Sequence, residues 1–178
     1  MKKFLIVAIT LLFTIPIFAG TKLISGDLGV LYGSKEIPVV LNWDNAVYGK
    51  NGSLNDFLNK AYRDSKWESK SLDYFLNEAN KKIGEYGSRL VEMGDVSNYG
   101  YFIVINVNSI SKGGDIKGTI NLISVENDKI ISCVEYSSDE SDNDDEIAFR
   151  DQLGNIGENY GKLLEKSLKK AYKESKRK

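Results

Sequence analysis

Tyr99-Gly100-Tyr101-Phe102-Ile103-Val104-Ile105-Asn106-Val107 is a nearly continuous run of β-forming residues, the composition expected of a central strand covered on both faces. Gly113-Gly114 supplies a turn. Beyond it Ile116, Gly118, Ile120 and Leu122 alternate with Lys117, Thr119 and Asn121, the two-residue period of a strand with one inward face. Glu126-Asn127-Asp128-Lys129 turns the chain again, into Ile130 to Tyr136. Three such runs joined by short turns predict an antiparallel meander.

Downstream, a polar run from Ser137 to Asp145 separates the meander from a long helical pattern. Its apolar stripe is Phe149, Leu153, Ile156, Tyr160, Leu164, Leu168 and Ala171, in unbroken steps of three and four. Gly154, Gly157 and Gly161 lie along one margin of that stripe. Each costs a helix roughly 1 kcal/mol relative to alanine, so something approaches closely there, and the sheet is the expected neighbour. Residues 139–146 hold six acids, whereas residues 162–178 hold eight bases against two acids. Each end therefore carries the sign that complements the helix dipole.

Upstream, Ile37-Pro38-Val39-Val40-Leu41-Asn42-Trp43 reads as a strand, with Pro38 confining it to a strand start or an edge. Leu54, Phe57, Leu58, Ala61 and Tyr62 form one amphipathic stripe, for which Ser53 is a cap, and Leu72, Phe75, Leu76, Ala79 and Ile83 form a second. Gly84 is placed to end the second in a left-handed conformation. Leu90-Val91 is a short strand. The Gly-punctuated residues 20–34 read as an extended arm or edge strand. Residues 35–178 then form a single α+β domain: a largely antiparallel sheet of about four or five strands, with two or three helices on one face and a long C-terminal helix.

Lys2 and Lys3 precede the short apolar run Phe4 to Phe13, and Ile17-Phe18-Ala19 forms an exit. Basic head, apolar core and small exit residue describe a signal peptide over residues 1–19. The apolar run falls short of the about 20 residues a spanning helix needs. Cleavage after Ala19 leaves 159 residues carrying 22 bases and 25 acids, a net charge of −3, with no transmembrane segment and no cysteine at the cut to carry a lipid. The expected location is periplasmic or extracellular. An acidic chain offers nucleic acid no counterion-releasing surface, so nucleic acid is not an expected partner. One cysteine, Cys133, makes no internal disulfide; inside a strand pattern it reads as an inert small hydrophobe.

The chain has no histidine. That removes His-dependent nucleophile arrangements, His metal ligands and the commonest general base near neutral pH. Gly113-Gly114-Asp115-Ile116-Lys117-Gly118 matches neither the dinucleotide nor the phosphate-loop pattern. Registered on Glu140, the acidic run sets Asp142, Asp144, Glu146 and Asp151 at ligand positions of a helix-loop-helix calcium loop. The obligatory turn glycine is however Asp145, and the closing glutamate is the shorter Asp151. Glu92, Asp95 and Glu135, near strand ends, are the acids from which a two-carboxylate hydrolase would draw its pair. Tyr99, Tyr101 and Tyr136 are candidates for a binding surface, because tyrosine is large, rigid and amphipathic.

From Tyr99 to about Ala171 the organisation resembles the amino-terminal domain of TolB and related small exported domains of envelope lipoproteins and the curli secretion channel. The shared features are a Tyr-led strand, Gly113-Gly114, a strand ending Leu122-Ile123-Ser124-Val125, a polar turn, another strand and a Gly-containing terminal helix. This chain departs from them at Asn98, where an acid is usual, and at Glu126 to Lys129, where a glycine is usual. The resemblance implies a non-catalytic module that docks onto other envelope proteins, with no shared site residues and no cofactor. A small carboxylate-dependent hydrolase and a calcium-stabilised binding domain are the alternatives.

Overall fold

The computed structural model describes residues 20–44, 46–49, 52–53, 67–111, 114–138 and 145–177. The leader 1–19, the first helical stripe at 54–62 and most of the acidic run, with Glu140, Asp142 and Asp144, lie outside the described residues.

The chain is α+β. Strands β1 (Gly20–Gly26), β2 (Glu36–Asn42), β3 (Val47–Tyr48), β4 (Gly52–Ser53), β5 (Arg89–Glu92), β6 (Tyr101–Ile110), β7 (Ile116–Ser124) and β8 (Ile130–Ser137) form one sheet with α1 (Trp67–Ile83) and α2 (Asp145–Ser175). The main strand order is β1-β8-β7-β6-β2-β5, and the short β3–β4 hairpin hangs on the far end of β6. Residues 20–34 supply an edge strand, β1, and a 3-10 turn at Leu28–Leu31.

The meander β6-β7-β8 is antiparallel as expected, but the sheet as a whole is mixed, and it has eight strands in place of the expected four or five, because β1 and the two-residue β3 and β4 also pair. β2 runs parallel to both β5 and β6; α1 lies in the connection that leads to β5, the crossover that a parallel pair needs. Pro38 is therefore inside the sheet. Its register with β6 begins one residue later, at Val39 opposite Ile103, so the missing N–H falls just before that ladder starts. At the outer edge, the Asn80 side chain on α1 donates to the Leu90 carbonyl (2.9 Å) and accepts from the Leu90 N–H (2.8 Å). An amide thus takes the place of a further strand on β5.

Both described helices lie on one face of the sheet. Leu72, Phe75, Leu76, Ala79 and Ile83 of α1 are buried together with Leu153, Ile156, Tyr160, Leu164 and Leu168 of α2, against Ile103, Ile105, Val107, Ile120 and Val134 of the sheet. Phe149's side chain lies outside the described residues. The stop of α1 differs from expectation: a 3-10 turn continues through Gly84, and it is Gly87 (φ 69°) that takes the left-handed position.

The glycine margin of α2 meets α1 and not the sheet. A Cβ on Gly157 would stand 2.4 Å from the Phe75 carbonyl oxygen, and one on Gly161 2.7 Å from that of Ala79. Gly157 and Gly161, like Phe75 and Ala79, are four residues apart, one helical ridge each. Small residues at that spacing let the two backbones touch. At the N-terminal end of α2, the buried Gln152 accepts hydrogen bonds from the Ile116 N–H (3.2 Å) and the Ser138 hydroxyl, which ties the helix to β7 and to the end of β8.

Candidate functional site

Strand alternation divides the sheet into two unlike faces. Along β6, Ile103, Ile105 and Val107 are buried under the helices, while Phe102, Val104 and Asn106 are half-buried. The covering on both faces expected for this strand is thus absent among the described residues. β7 repeats the pattern, with Ile116, Gly118, Ile120, Leu122 and Ser124 inward and Thr119, Asn121 and Ile123 half-buried on the other side. In β8, Ser132, Val134 and Tyr136 are inward, Cys133 and Glu135 face the open side, and Ile131, at a bulge, packs against the core.

The open face is organised in rows by strand register. Lys22, Glu135, Thr119, Asn106 and Asn42 stand opposite one another across five strands. Asn42 Nδ2 donates to Asn106 Oδ1 (3.0 Å), and Asn106 Nδ2 donates to Thr119 Oγ1 (3.4 Å). The next row is Ser25, Cys133, Asn121, Val104 and Val40. Beyond it Ile123 and Phe102 pair across β7 and β6. A polar ladder thus borders an apolar pad, an arrangement suited to a surface that hydrogen-bonds at one margin and packs at the other.

Cys133 sits in the middle of this face. Burial, and then the charge of Glu135 two residues on, push its thiol up. A thiol held protonated is a poor nucleophile, in line with the inert reading from sequence.

The three tyrosines expected to form a binding surface do not share one. Tyr136 is buried, and its hydroxyl donates to the Asn106 carbonyl (2.9 Å) across the strand between them. It passes over Gly118, where a Cβ would stand 2.5 Å from that hydroxyl. Tyr136 is thus a core residue, on the same strand parity as Val134. Tyr101, half-buried, packs against the core at the other end of β6. Through the register of Tyr136 with Gly118 and of Gly118 with Val107, Tyr101 lies six strand positions away, roughly 20 Å. Tyr99 precedes β6 and donates its hydroxyl to Glu36 Oε2 (3.2 Å); that bond to a carboxylate raises its pKa.

Among the acids considered for hydrolysis, Glu135 stands apart from Glu92. Glu135 on β8 and Glu92 on β5 have three strands between them, about 19 Å at normal strand spacing. Asp95 accepts from the Ser97 N–H and hydroxyl, both at 2.9 Å, which lowers its pKa, opposite to what a general acid requires. Asp151 is exposed on α2. Among the described residues no three Cys, Asp or Glu side chains are grouped to hold a metal, and no helix is long and apolar enough to cross a membrane.

No family model and no curated protein matches the chain. Among solved structures it is similar to the PelC dodecamer of Paraburkholderia phytofirmans, at 12% identity and a TM-score of 0.43, over 78% of this chain and 96% of that one. It is also similar to protein XCC0632 of Xanthomonas campestris, a DUF330 protein, at 10% identity and a TM-score of 0.38, over 79% of this chain and 89% of that one.

Proposed function

We propose that the protein is an exported binding or assembly module of the cell envelope, which takes a protein partner on the open face of its sheet. The observation that carries this reading is the one-sided cover: both described helices pack on one face, and the other presents half-buried Phe102, Val104 and Ile123 beside the Asn42–Asn106–Thr119 ladder. Contiguous apolar surface of this kind marks interaction sites more often than it marks ordinary exposed surface. The basic, apolar leader supplies the export, and the resemblance to TolB-type envelope domains belongs to the same reading. Docking needs neither cofactor nor metal.

Cys133 offers the test, since it is the single cysteine and lies centrally on the face. At alkaline pH, where the raised thiol ionises, a thiol-reactive label is expected to modify it in the purified protein and to be excluded when the protein is treated in intact envelopes. A photocrosslinker at residue 133 is expected to capture one discrete neighbour, which Asn121→Arg and Thr119→Lys abolish. Equal labelling in both settings, or the same crosslinks from the helix-side position Lys162, would refute docking through this face.

A further inference from the structure

At the end of α2, on the helix side of the sheet, a second surface has a different chemistry. The 3-10 turn Leu28–Leu31 is anchored by two fully buried leucines, Leu28 and Leu31, and capped by Asp27, which accepts from the Gly29 N–H (2.8 Å). A Cβ on Gly29 would stand 3.5 Å from that of Ala171, so the turn lies directly on the last turns of α2. This platform presents Val30 (39% exposed) and Tyr32 (39%) outward. Tyr172 (37% exposed) places its ring 6.1 Å from that of Tyr32, and Lys176 Nζ sits 4.5 Å from the Tyr172 ring centroid.

Lys169, Tyr172, Lys173 and Lys176 are exposed and follow one another at the spacing of a single helical stripe. Residues 169–177 carry five bases and one acid, in a chain whose net charge is −1. The basic end is thus a local concentration of charge opposed to the character of the whole molecule.

We infer that this end is a membrane-contact surface, on which Val30, Tyr32 and Tyr172 enter the headgroup region of an anionic phospholipid bilayer while the lysines of α2 meet its phosphates. Tyrosine rings with one apolar body and one wet tip favour that depth, and lysines with long apolar stems reach past them to the charged plane. Clustered bases are drawn to anionic lipid, and apolar burial supplies the second signal that stable surface binding requires. Phospholipid fits better than an anionic glycan. Val30 gains nothing from a sugar, and four of the five bases are lysines, hydrated point charges without the bidentate geometry that Arg177 alone supplies. The inference stands apart from docking on the open sheet face, which is on the other side of the molecule.

The test is co-sedimentation of the protein, recovered from the exported fraction, with vesicles of phosphatidylcholine alone or in equal parts with phosphatidylglycerol. Binding is expected only to the anionic vesicles and is lost in high salt. The pair Lys169→Gln and Lys173→Gln should lower it about fivefold per charge. The pair Tyr32→Ser and Tyr172→Ser should lower it several-fold at constant charge, with thermal melts confirming that both variants fold. Equal binding to neutral vesicles, no binding to either, or binding that survives both double variants overturns the inference. So does tighter binding to a soluble sulfated polysaccharide that the tyrosine pair does not affect, which would assign the surface to glycan. None of these outcomes bears on Cys133 protection.

Discussion

Val104 and Ile105 are adjacent on β6 and differ by one methylene, yet they belong to different surfaces. Ile105 is fully buried beneath α1 and α2, with Phe75, Tyr160 and Leu164 equally buried in the same core, whereas Val104 is half-buried on the open side, between Val40 and Asn121 in register. The helix face is close-packed to the point that glycines are needed where the helices meet. On the open face, which no described helix covers, short polar side chains hydrogen-bond across strands. The contrast separates a face closed by the protein's own helices from one that no described element covers.

The contrast is sharpest at the helix–helix contact. Gly157→Leu drives a branched side chain into the Phe75 backbone, whose carbonyl oxygen and Cα stand 2.4 and 2.8 Å from an added Cβ. Backbone in the middle of a 17-residue helix cannot swing aside as a side chain would. The better helix propensity of leucine returns about 1 kcal/mol, so a net loss of about 3 kcal/mol is expected, at the upper end for overpacking. That is a fall of roughly 6–12 °C in melting temperature for a domain of this size. A melt within a degree of wild type would show that the helices do not meet there.

Truncating the two neighbours on β6 sets the faces directly against each other. Ile105→Ala is expected to cost about 3 kcal/mol, within the usual range for a fully buried aliphatic. Val104→Ala removes less volume, from a site already half open to water, and should cost about 1 kcal/mol or less. Chemical denaturation of both variants measures the difference. Equal losses would mean that the open face is covered after all.

The helix-covered face was largely legible in the sequence, because packing writes a period. Leu153, Ile156, Tyr160, Leu164 and Leu168 recur at helical spacing, Ile116, Gly118, Ile120 and Leu122 at strand spacing, and all of them are buried. Which elements meet was not. The glycine margin signals a close approach but not its partner; α1 takes that place because Phe75 and Ala79 share its four-residue step. The parallel setting of β2 depends on a crossover that its own residues do not encode. Tyr136 reads as a surface residue by its type alone, but its shared parity with Val134 and Ser132 marks it as inward, where it is buried. The open face gave a fainter signal, in Asn106 inside an otherwise apolar strand and Thr119 and Asn121 alternating with isoleucine and leucine. The Tyr32–Tyr172 pair joins residues 140 positions apart, which no local pattern reports.

The smallest effect at neutral pH concerns the hydroxyls within the helix-covered core. Tyr160 is fully buried, and its hydroxyl finds no partner among the described residues, whereas Tyr136 donates to Asn106. Tyr160→Phe removes an unmet donor and should be neutral or stabilising by up to about 1 kcal/mol, whereas Tyr136→Phe forfeits a hydrogen bond and should cost about that much. Alkaline titration enlarges the distinction. Burial raises both phenols above their ordinary value of about 10, so above that pH the unfolded chain releases protons that the folded chain retains. Stability is full below about pH 10 and falls as pH rises toward the folded values, by about 1.4 kcal/mol per pH unit for each tyrosine. Tyr160→Phe should therefore remove about half of the alkaline slope contributed by this pair, measured as denaturation midpoints between neutral pH and pH 11. An unchanged slope would place the Tyr160 hydroxyl in contact with water and open the core at the centre of α2.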